Sequence, residues 1–215
     1  EEKIAATLSV KEFNKKNYVF MITAFGKVKK VSLEEFSNPR KTGIIAIKLL
    51  KNDYLVDTFI TNGKNEIMVF TKKGQALRFS EKDVREMGRN AVGVTGIRLE
   101  KGDEVCSGTI IKEDEKLLFV SENGFGKLVS YKLFPKRKRG GKGVVGIKIT
   151  ERTGDLVKVI SVKEEDEIII GTLKGTVIRL KVSEIKELSR QASGVKLLTL
   201  KEEDKVIDIA KIIGS

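Results

Sequence analysis

Short runs of apolar and β-branched residues, separated by glycine or polar turns, recur along the whole chain. Four segments resemble one another closely: YVFMITAFGKVKKVS from Tyr18, EIMVFTKKGQALRFS from Glu66, KLLFVSENGFGKLVS from Lys116 and EIIIGTLKGTVIRLK from Glu167. Runs rich in Val, Ile, Phe and Thr are typical of strands, and turns such as TKKG predict a tight hairpin with positive φ at Gly74. The pattern therefore predicts four β-hairpins.

Glycines give the repeat its period. Within the hairpins they are Gly26, Gly74, Gly124 and Gly175, and in a second set of segments (TGIIAIKL, VGVTGIRL, KGVVGIKI, SGVKLLTL) they are Gly43, Gly93, Gly143 and Gly194. Two independent anchors that share one spacing of about fifty residues indicate a tandem array. We assign the repeats to residues 11–61, 62–112, 113–163 and 164–213 of a single domain, 1–215, and assign residues 1–10 to a strand of a preceding blade. The chain is therefore expected to be a piece of a longer protein.

Each repeat holds four predicted strands. In the second repeat they are Ile67–Thr71, Ala76–Ser80, Val92–Leu99 and Glu104–Ile111. A one-turn helix is predicted after the second strand, with Ser32, Ser80 and Ser183 as N-caps. Four strands per fifty residues is the composition of a propeller blade. The predicted fold class is all-β, a propeller-like domain of about four four-stranded blades.

Positive charge is concentrated in one half of each repeat. The chain has a net charge of +12, and the windows from the first glycine of each repeat to five residues beyond the second carry +4, +2, +8 and +3. Equivalent positions of a repeat fall on the same part of each blade, so this periodic charge predicts a basic belt. Such a belt favours a polyanion that bends around the domain, with nucleic acid a stronger candidate than an anionic membrane.

The basic residues around the two glycines are the candidate DNA-binding residues. They are densest in FPKRKRGGKG, where the glycines would let a phosphate approach closely and each arginine offers a bidentate fork. No base-reading arrangement is evident, so we expect backbone contacts with little sequence preference. Taken alone, the basic run could also be a localisation signal or a mobile loop. The full set is Lys27, Lys29, Lys30, Arg40, Lys41, Arg78, Arg89, Lys127, Lys136, Arg137, Lys138, Arg139, Gly140, Gly141, Lys142, Arg179 and Arg190.

Composition argues against an enzyme site. The chain contains no histidine and one cysteine, Cys106, so the usual zinc ligand sets and the Ser-His and Cys-His pairs cannot be built. Catalysis by carboxylates or lysine remains possible in principle, but no motif favours it. We expect no catalytic residue, no metal and no cofactor. An internal disulfide is excluded, no apolar run reaches the length of a membrane span, and a single cysteine fits a reducing compartment.

Several motifs together resemble the C-terminal DNA-wrapping domain of the bacterial DNA gyrase A subunit, over Ile4 to Ile212. They are REMGRNAVGVTGIRLEKGDEV, NGFGK, KGVVGIKITERTG and RLKVSEIKELSRQASGVKLL. The family implies a β-pinwheel, usually of six blades that exchange strands, with a basic outer rim that bends DNA. The segment RKRGGKG, Arg137 to Gly143, is similar to the family's box Q-R-R-G-G-[RK]-G. Here Arg137 replaces the glutamine, and the segment lies in a later repeat than the box normally does.

The resemblance also implies function. The chain would be a non-catalytic part of an ATP-dependent type II topoisomerase, in the bacterial cytoplasm at the nucleoid and without a membrane partner. It would wrap double-stranded DNA with positive handedness, so that strand passage introduces negative supercoils. The N-terminal part of the same gyrase subunit would hold the cleaving tyrosine, and the gyrase B subunit would hydrolyse ATP.

Three alternative hypotheses about the class of protein remain open from the sequence. The nearest is the equivalent C-terminal domain of topoisomerase IV, which has a degenerate box and wraps DNA more weakly. A second is a protein-binding propeller of the WD-repeat or kelch type, although the chain has no tryptophan or histidine for WD-repeat signatures. The third is a propeller enzyme with acidic residues converging in a central channel.

Overall fold

The computed structural model describes residues 6–212 as an all-β fold. Its strands are β1 (Tyr18–Thr23), β2 (Lys27–Ser32), β3 (Leu55–Thr61), β4 (Glu66–Thr71), β5 (Gln75–Ser80), β6 (Val94–Thr95), β7 (Val105–Ile110), β8 (Lys116–Ser121), β9 (Phe125–Val129), β10 (Val144–Val145), β11 (Leu156–Val162), β12 (Glu167–Thr172), β13 (Val177–Lys181), β14 (Val195–Lys196) and β15 (Val206–Ile212). Single 3-10 turns lie at Leu33–Phe36, Glu81–Asp83, Tyr131–Leu133 and Val182–Glu184. Within residues 6–212 no helix is long and apolar enough to cross a membrane.

The strands form four antiparallel sheets that exchange strands with their neighbours. In spatial order the sheets are β3-β1-β2-β6, β10-β5-β4-β7, β11-β8-β9-β14 and β13-β12-β15. Each of the first three therefore completes its outer edge with a short strand from the following repeat. The fourth sheet has three strands in the part of the chain described. Strand exchange in a propeller-like array confirms the pinwheel that the resemblance implied.

The two periodic glycines explain how the exchange is possible. Gly74 has φ of +85°, and a Cβ added there would clash with the carbonyl oxygen of Ile147. Gly143 has φ of +82°, and a Cβ there would lie 2.6 Å from the carbonyl oxygen of Ala76. In both cases the approaching backbone belongs to the neighbouring repeat. The glycine period thus marks the points where consecutive repeats touch, and the positive φ predicted at Gly74 is confirmed.

Apolar side chains fill the space between consecutive sheets. Between the second and third sheets, Phe119 packs edge-on against Phe70 with ring centroids 5.3 Å apart and stacks on Phe134 at 6.2 Å. The central strands β4 and β8 have sheets on both sides, so they are buried along almost their whole length. This is why they read as continuous apolar runs and not as strict alternation.

Two predicted strands differ from those in the structure. The predicted strand Val92–Leu99 contains only the two-residue strand Val94–Thr95, because the Gly96 amide leaves the ladder and donates to the carbonyl oxygen of Gly26 at 2.8 Å. The predicted strand over residues 1–10 shows no strand at 6–10, and residues 1–5 lie outside the described range. Instead, Leu8 packs against the first sheet.

The capping predictions have mixed outcomes. The Ser80 hydroxyl accepts a hydrogen bond from the backbone N–H of Lys82, as predicted. Ser32 occupies an N-cap position but its hydroxyl makes no capping bond. Ser183 is wrong, because it lies inside the turn Val182–Glu184, whose N-cap is Lys181. The sequence did not lead us to predict Ser130, which caps the turn Tyr131–Leu133 in the third repeat.

Candidate nucleic-acid interface

The sheets have an inner and an outer edge. Strands β3, β7, β11 and β15 contact one another in succession at the inner edge and line a shared cavity of about 440 Å³. The exchanged strands β6, β10 and β14 lie at the opposite edge of their sheets. The loops that lead into these strands, and the basic residues on them, therefore lie along an outer rim.

The basic loop of the third repeat is held by its backbone while its long side chains are exposed. The amide of Arg137 donates to the carbonyl oxygen of Arg78 at 2.9 Å, and the amide of Gly140 donates to that of Gly96 at 2.6 Å. The side chains of Arg137, Lys138 and Lys142 are exposed. The structure differs from the prediction at Gly140, because its amide bonds within the protein and does not face solvent.

One pair of predicted cations is engaged by a carboxylate. Arg78 and Lys136 both form ion pairs with Glu66, with a Lys136 Nζ–Glu66 Oε1 distance of 2.7 Å. Burial alone would raise the pKa of Glu66, but the hydrogen bonds from Lys136 and Arg78 outweigh it and lower that pKa below its usual value. The Arg78 guanidinium also lies over the ring of Tyr131, 5.1 Å from its centroid. This pair therefore joins the basic loop to β4 and β5.

Three lysines of the candidate DNA-binding set are buried, whereas DNA binding would require them to be exposed. Lys29 and Lys127 are 0% exposed, and Lys30 is 7% exposed and lies over the ring of Tyr18. Lys127 donates to the carbonyl oxygens of Ser189 and Arg190 at 2.7 Å each, and Lys29 donates to the carbonyl oxygens of Ala46 and Arg89. A phosphate cannot reach ammonium groups placed in this way.

Burial changes the proton affinity of two of these lysines. It lowers the pKa of Lys29 and that of Lys127 to about 8, with a further lowering from the positive charges of Arg89 and Arg190 respectively. Both ammonium groups therefore titrate closer to neutrality than a solvated lysine.

Several other candidates bond within the protein. Arg89, Arg139 and Arg190 donate to backbone carbonyl oxygens of the preceding repeat. The Lys27 ammonium donates to the hydroxyl of Thr95 at 3.2 Å. Arg179 pairs with Glu167 on the neighbouring strand. Each internal bond occupies one of the N–H donors that the side chain could otherwise offer to an anion.

The remaining candidates are exposed. Arg40, Lys41, Arg137 and Lys138 form no side-chain hydrogen bond or ion pair within residues 6–212, and Lys142 lies 3.8 Å from Glu100 with both side chains largely in water. An ion pair of that kind contributes little. The exposed positive charge of the third repeat is thus available to a ligand.

The structure adds a row of cations that the candidate set omitted. Lys48, Arg98 and Lys148 each lie five residues after the second glycine of their repeat, and all three side chains are exposed. Their backbone amides donate to the loop of the following repeat, at the carbonyl oxygens of residues 91, 141 and 192. Because these bonds repeat, the three residues occupy equivalent positions on the rim. The signal was present in the sequence as IKL, IRL and IKI at one fixed offset.

Acidic groups form no metal site in the described part of the chain. Residues 6–212 contain no group of three or more His, Cys, Asp or Glu side chains that could hold an ion. At the inner edge, Asp57 accepts a hydrogen bond from the Gly108 amide, and Lys158 pairs with Asp208 at 2.8 Å. These acidic side chains are therefore paired with donors of the protein.

A propeller-like array of strand-exchanging sheets with a basic outer rim defines the class as a β-pinwheel. The family model of the DNA gyrase C-terminal domain, beta-propeller, matches residues 17–62, 65–108, 115–163 and 166–212. The chain belongs to this family.

Curated relatives and solved structures agree with this assignment. The DNA gyrase A subunit of Escherichia coli (strain K12) is 41% identical over 99% of this chain, and that of Buchnera aphidicola is 40% identical over 98%. The chain spans about a quarter of the length of both relatives. A solved DNA gyrase A C-terminal domain superposes with a TM-score of 0.87 at 31% identity, over 95% of this chain and 68% of that chain. A solved C-terminal domain of DNA topoisomerase IV gives 0.88 at 29% identity, over 94% and 64%.

Proposed function

We propose that this chain binds duplex DNA along its outer rim and bends it. The observation that carries the proposal is the row formed by Lys48, Arg98 and Lys148, which places one exposed cation at the same point of three successive repeats. The exposed side chains of the basic loop, Arg137 and Lys138 among them, add charge to the same edge. Cations repeated along a curved rim can meet successive phosphates of a duplex that follows the curve.

The contacts proposed here are to the DNA backbone. Neither a helix nor a long ribbon that could enter the major groove projects from the rim within residues 6–212. Lysine and arginine side chains on short loops reach phosphate oxygens, which carry no direct sequence information. Binding is therefore expected to depend on salt and on DNA deformability more than on base sequence.

The larger assembly is part of the same proposal. As a segment of a DNA gyrase A subunit, the chain would present wrapped DNA to the N-terminal part of that subunit, which would cleave it with a tyrosine, while the B subunit would hydrolyse ATP. Wrapping with positive handedness would make strand passage introduce negative supercoils. The chain itself would supply binding energy and DNA geometry, with no reacting group of its own, in the bacterial cytoplasm.

A linking-number assay tests this proposal. The purified chain is incubated with relaxed circular DNA, a topoisomerase relaxes the unconstrained supercoils, and the linking number is read after the protein is removed. The proposal expects a shift to positive linking difference. It also expects that log K falls with log salt with a slope of about −5 to −7, from roughly six to eight phosphate contacts. A slope shallower than about −2 would contradict binding by the rim.

The alternative is the corresponding domain of topoisomerase IV. The favouring observation is the TM-score of 0.88 against a solved domain of that enzyme, at an identity only slightly below that of the gyrase domain. A weaker wrapping domain would give the steep salt dependence without the topological shift. That combination of results would select this alternative.

A further inference from the structure

We propose that Arg89, Arg139 and Arg190 are latches between repeats, which set the curvature of the rim and do not bind phosphate. The inference rests on the proposed DNA-binding function for its consequence, but the latch itself is a property of the free protein. It reverses the role that the basic pattern suggested for these three residues.

The same type of hydrogen bond occurs at three boundaries between repeats. Each arginine lies on the loop that leads into an exchanged strand, four residues before its second glycine. Each donates from Nη1 to a backbone carbonyl oxygen of the preceding repeat, at equivalent positions: Arg89 to Ile45 at 3.3 Å, Arg139 to Thr95 at 3.1 Å and Arg190 to Val145 at 2.5 Å. A contact repeated at every internal boundary is built into the repeat, whereas a chance surface contact would vary between boundaries.

The carbonyl oxygens that accept hydrogen bonds from Arg139 and Arg190 lie at the ends of exchanged strands. Thr95 ends β6 in the first sheet, and Val145 ends β10 in the second sheet. Arg139 therefore ties β6 to the loop that enters the second sheet, and Arg190 ties β10 to the loop that enters the third. Because each tie joins neighbouring sheets at the outer edge, its length limits how far the sheets can splay there.

Buried lysines hold two of the same loops from the other side. Lys29 donates to the carbonyl oxygen of Arg89, and Lys127 donates to that of Arg190 at 2.7 Å. At each of these two boundaries, a lysine of one repeat and an arginine of the next therefore each donate to a backbone carbonyl oxygen in the other repeat. The equivalent position in the second repeat is Leu77, which is buried. At that boundary Arg139 makes a second bond, from Nε to the carbonyl oxygen of Asp83 at 2.8 Å.

The guanidinium groups of Arg139 and Arg190 are already engaged within the protein. The Arg190 guanidinium lies 5.7 Å from the ring centroid of Phe134 as well as bonding Val145, and the Arg139 guanidinium has two carbonyl partners. All three side chains are only partly exposed, in contrast to Lys48, Arg98 and Lys148. A phosphate would have to compete with carbonyl bonds that are already formed.

Arg190 offers the clearest test, with three variants of the full chain. Arg190→Ala removes charge and latch together. Arg190→Gln removes the charge but keeps an N–H donor at the end of the side chain. Lys148→Ala is the matched control, since it removes one exposed rim charge that has no partner within residues 6–212. Hydrogen exchange of the free proteins at residues 144–147, the salt slope of DNA binding, and the bend angle from energy transfer between the ends of a bound duplex are measured for each.

The latch predicts a distinct pattern. In Arg190→Ala, exchange at residues 144–147 should rise by roughly tenfold or more and the bend angle should fall, while the salt slope stays unchanged. Arg190→Gln should restore much of the protection and of the bend. Lys148→Ala should leave exchange unchanged and reduce the magnitude of the salt slope by about 0.9.

Other patterns overturn the proposal. If both Arg190 variants lower the magnitude of the salt slope by about 0.9 and leave exchange unchanged, Arg190 is a phosphate ligand. If Arg190→Ala does not fold, Arg190→Gln decides between the two roles by the same criteria. Since exchange is measured without DNA, absence of DNA binding by the unmodified chain would overturn the proposed function while leaving the latch to be judged on exchange alone.

Discussion

The ammonium of Lys127 and the carbonyl oxygen of Arg190 are joined by a 2.7 Å hydrogen bond that crosses from the third repeat to the fourth. The lysine is fully buried, and the arginine donates back to Val145 in the third repeat. Both cations therefore join the backbones of the third and fourth repeats by hydrogen bonds, although their sequence pattern suggested DNA binding. The positive charge that binds DNA in our proposal resides on other side chains, and substitutions can separate the two groups.

The first prediction concerns the row of exposed cations on the outer rim. Replacing Lys48, Arg98 and Lys148 together by alanine should weaken DNA binding and reduce the magnitude of the salt slope by about 2.7, because three phosphate contacts are lost. Binding titrations over a range of salt concentrations measure this. Unfolding free energy should change by less than about 0.5 kcal/mol per site, since the side chains are exposed. Lys101→Ala, which removes an exposed lysine outside the row, is the control; an equal effect per charge removed would show that total charge alone matters.

The basic loop gives the second prediction. The triple variant Arg137→Ala, Lys138→Ala, Lys142→Ala should also lose about 2.7 from the magnitude of the slope and should remain folded, because none of the three side chains makes a close internal bond. The charge-conserving triple variant Arg137→Lys, Lys138→Arg, Lys142→Arg should bind DNA with nearly unchanged affinity. Unchanged affinity in the alanine variant would show that the loop lies off the DNA path.

The hairpin glycines give a third prediction with an internal control. Gly74 and Gly175 have nearly the same φ, +85° and +82°, but of the two only Gly74 is approached so closely by the backbone of another repeat that an added Cβ would clash with it. A Cβ added at Gly175 would meet nothing within 4 Å. Gly74→Ala should therefore cost about 3 kcal/mol or more and Gly175→Ala about 1 kcal/mol, measured by urea unfolding. Equal costs would mean that the exchanged strand does not pass Gly74 as described.

A fourth prediction follows from the lowered pKa of Lys127. In the folded chain this pKa is about 8, below the usual 10.5, so between these pH values the unfolded chain binds more protons than the folded chain. Unfolding free energy contributed by this group should therefore rise as pH increases from 8 towards 10.5. Between about pH 7.5 and 9.5 the wild-type chain should gain on the order of 1 kcal/mol more than Lys127→Met, allowing for solvent screening, because the similar contribution of Lys29 is present in both proteins. A wild-type chain that loses stability relative to Lys127→Met over this range would refute the burial argument.

Much of the fold could be predicted because its signals are local. The apolar runs of β4 and β8 and the hairpin at Gly74 follow from the order of residues within one repeat, and the fifty-residue spacing of the glycines follows from comparing the repeats along the chain. The strand exchange has no such local signal. Val94–Thr95 pairs with β2, nearly seventy residues away, and nothing within the second repeat records that its partner lies in the first.

The sequence by itself determined an all-β tandem array and a positive charge concentrated in one half of each repeat, because these periods depend only on the order of residues along the chain. Only the tertiary structure decided which cations face water. In KVKK, Lys29 is buried because its carbonyl partners come from Ala46 and Arg89, and the latter lies in another repeat. In contrast, Lys48 remains exposed. Hydrogen-bond acceptors brought close by folding, sixty residues apart in sequence, divide one basic pattern into latches and free charges.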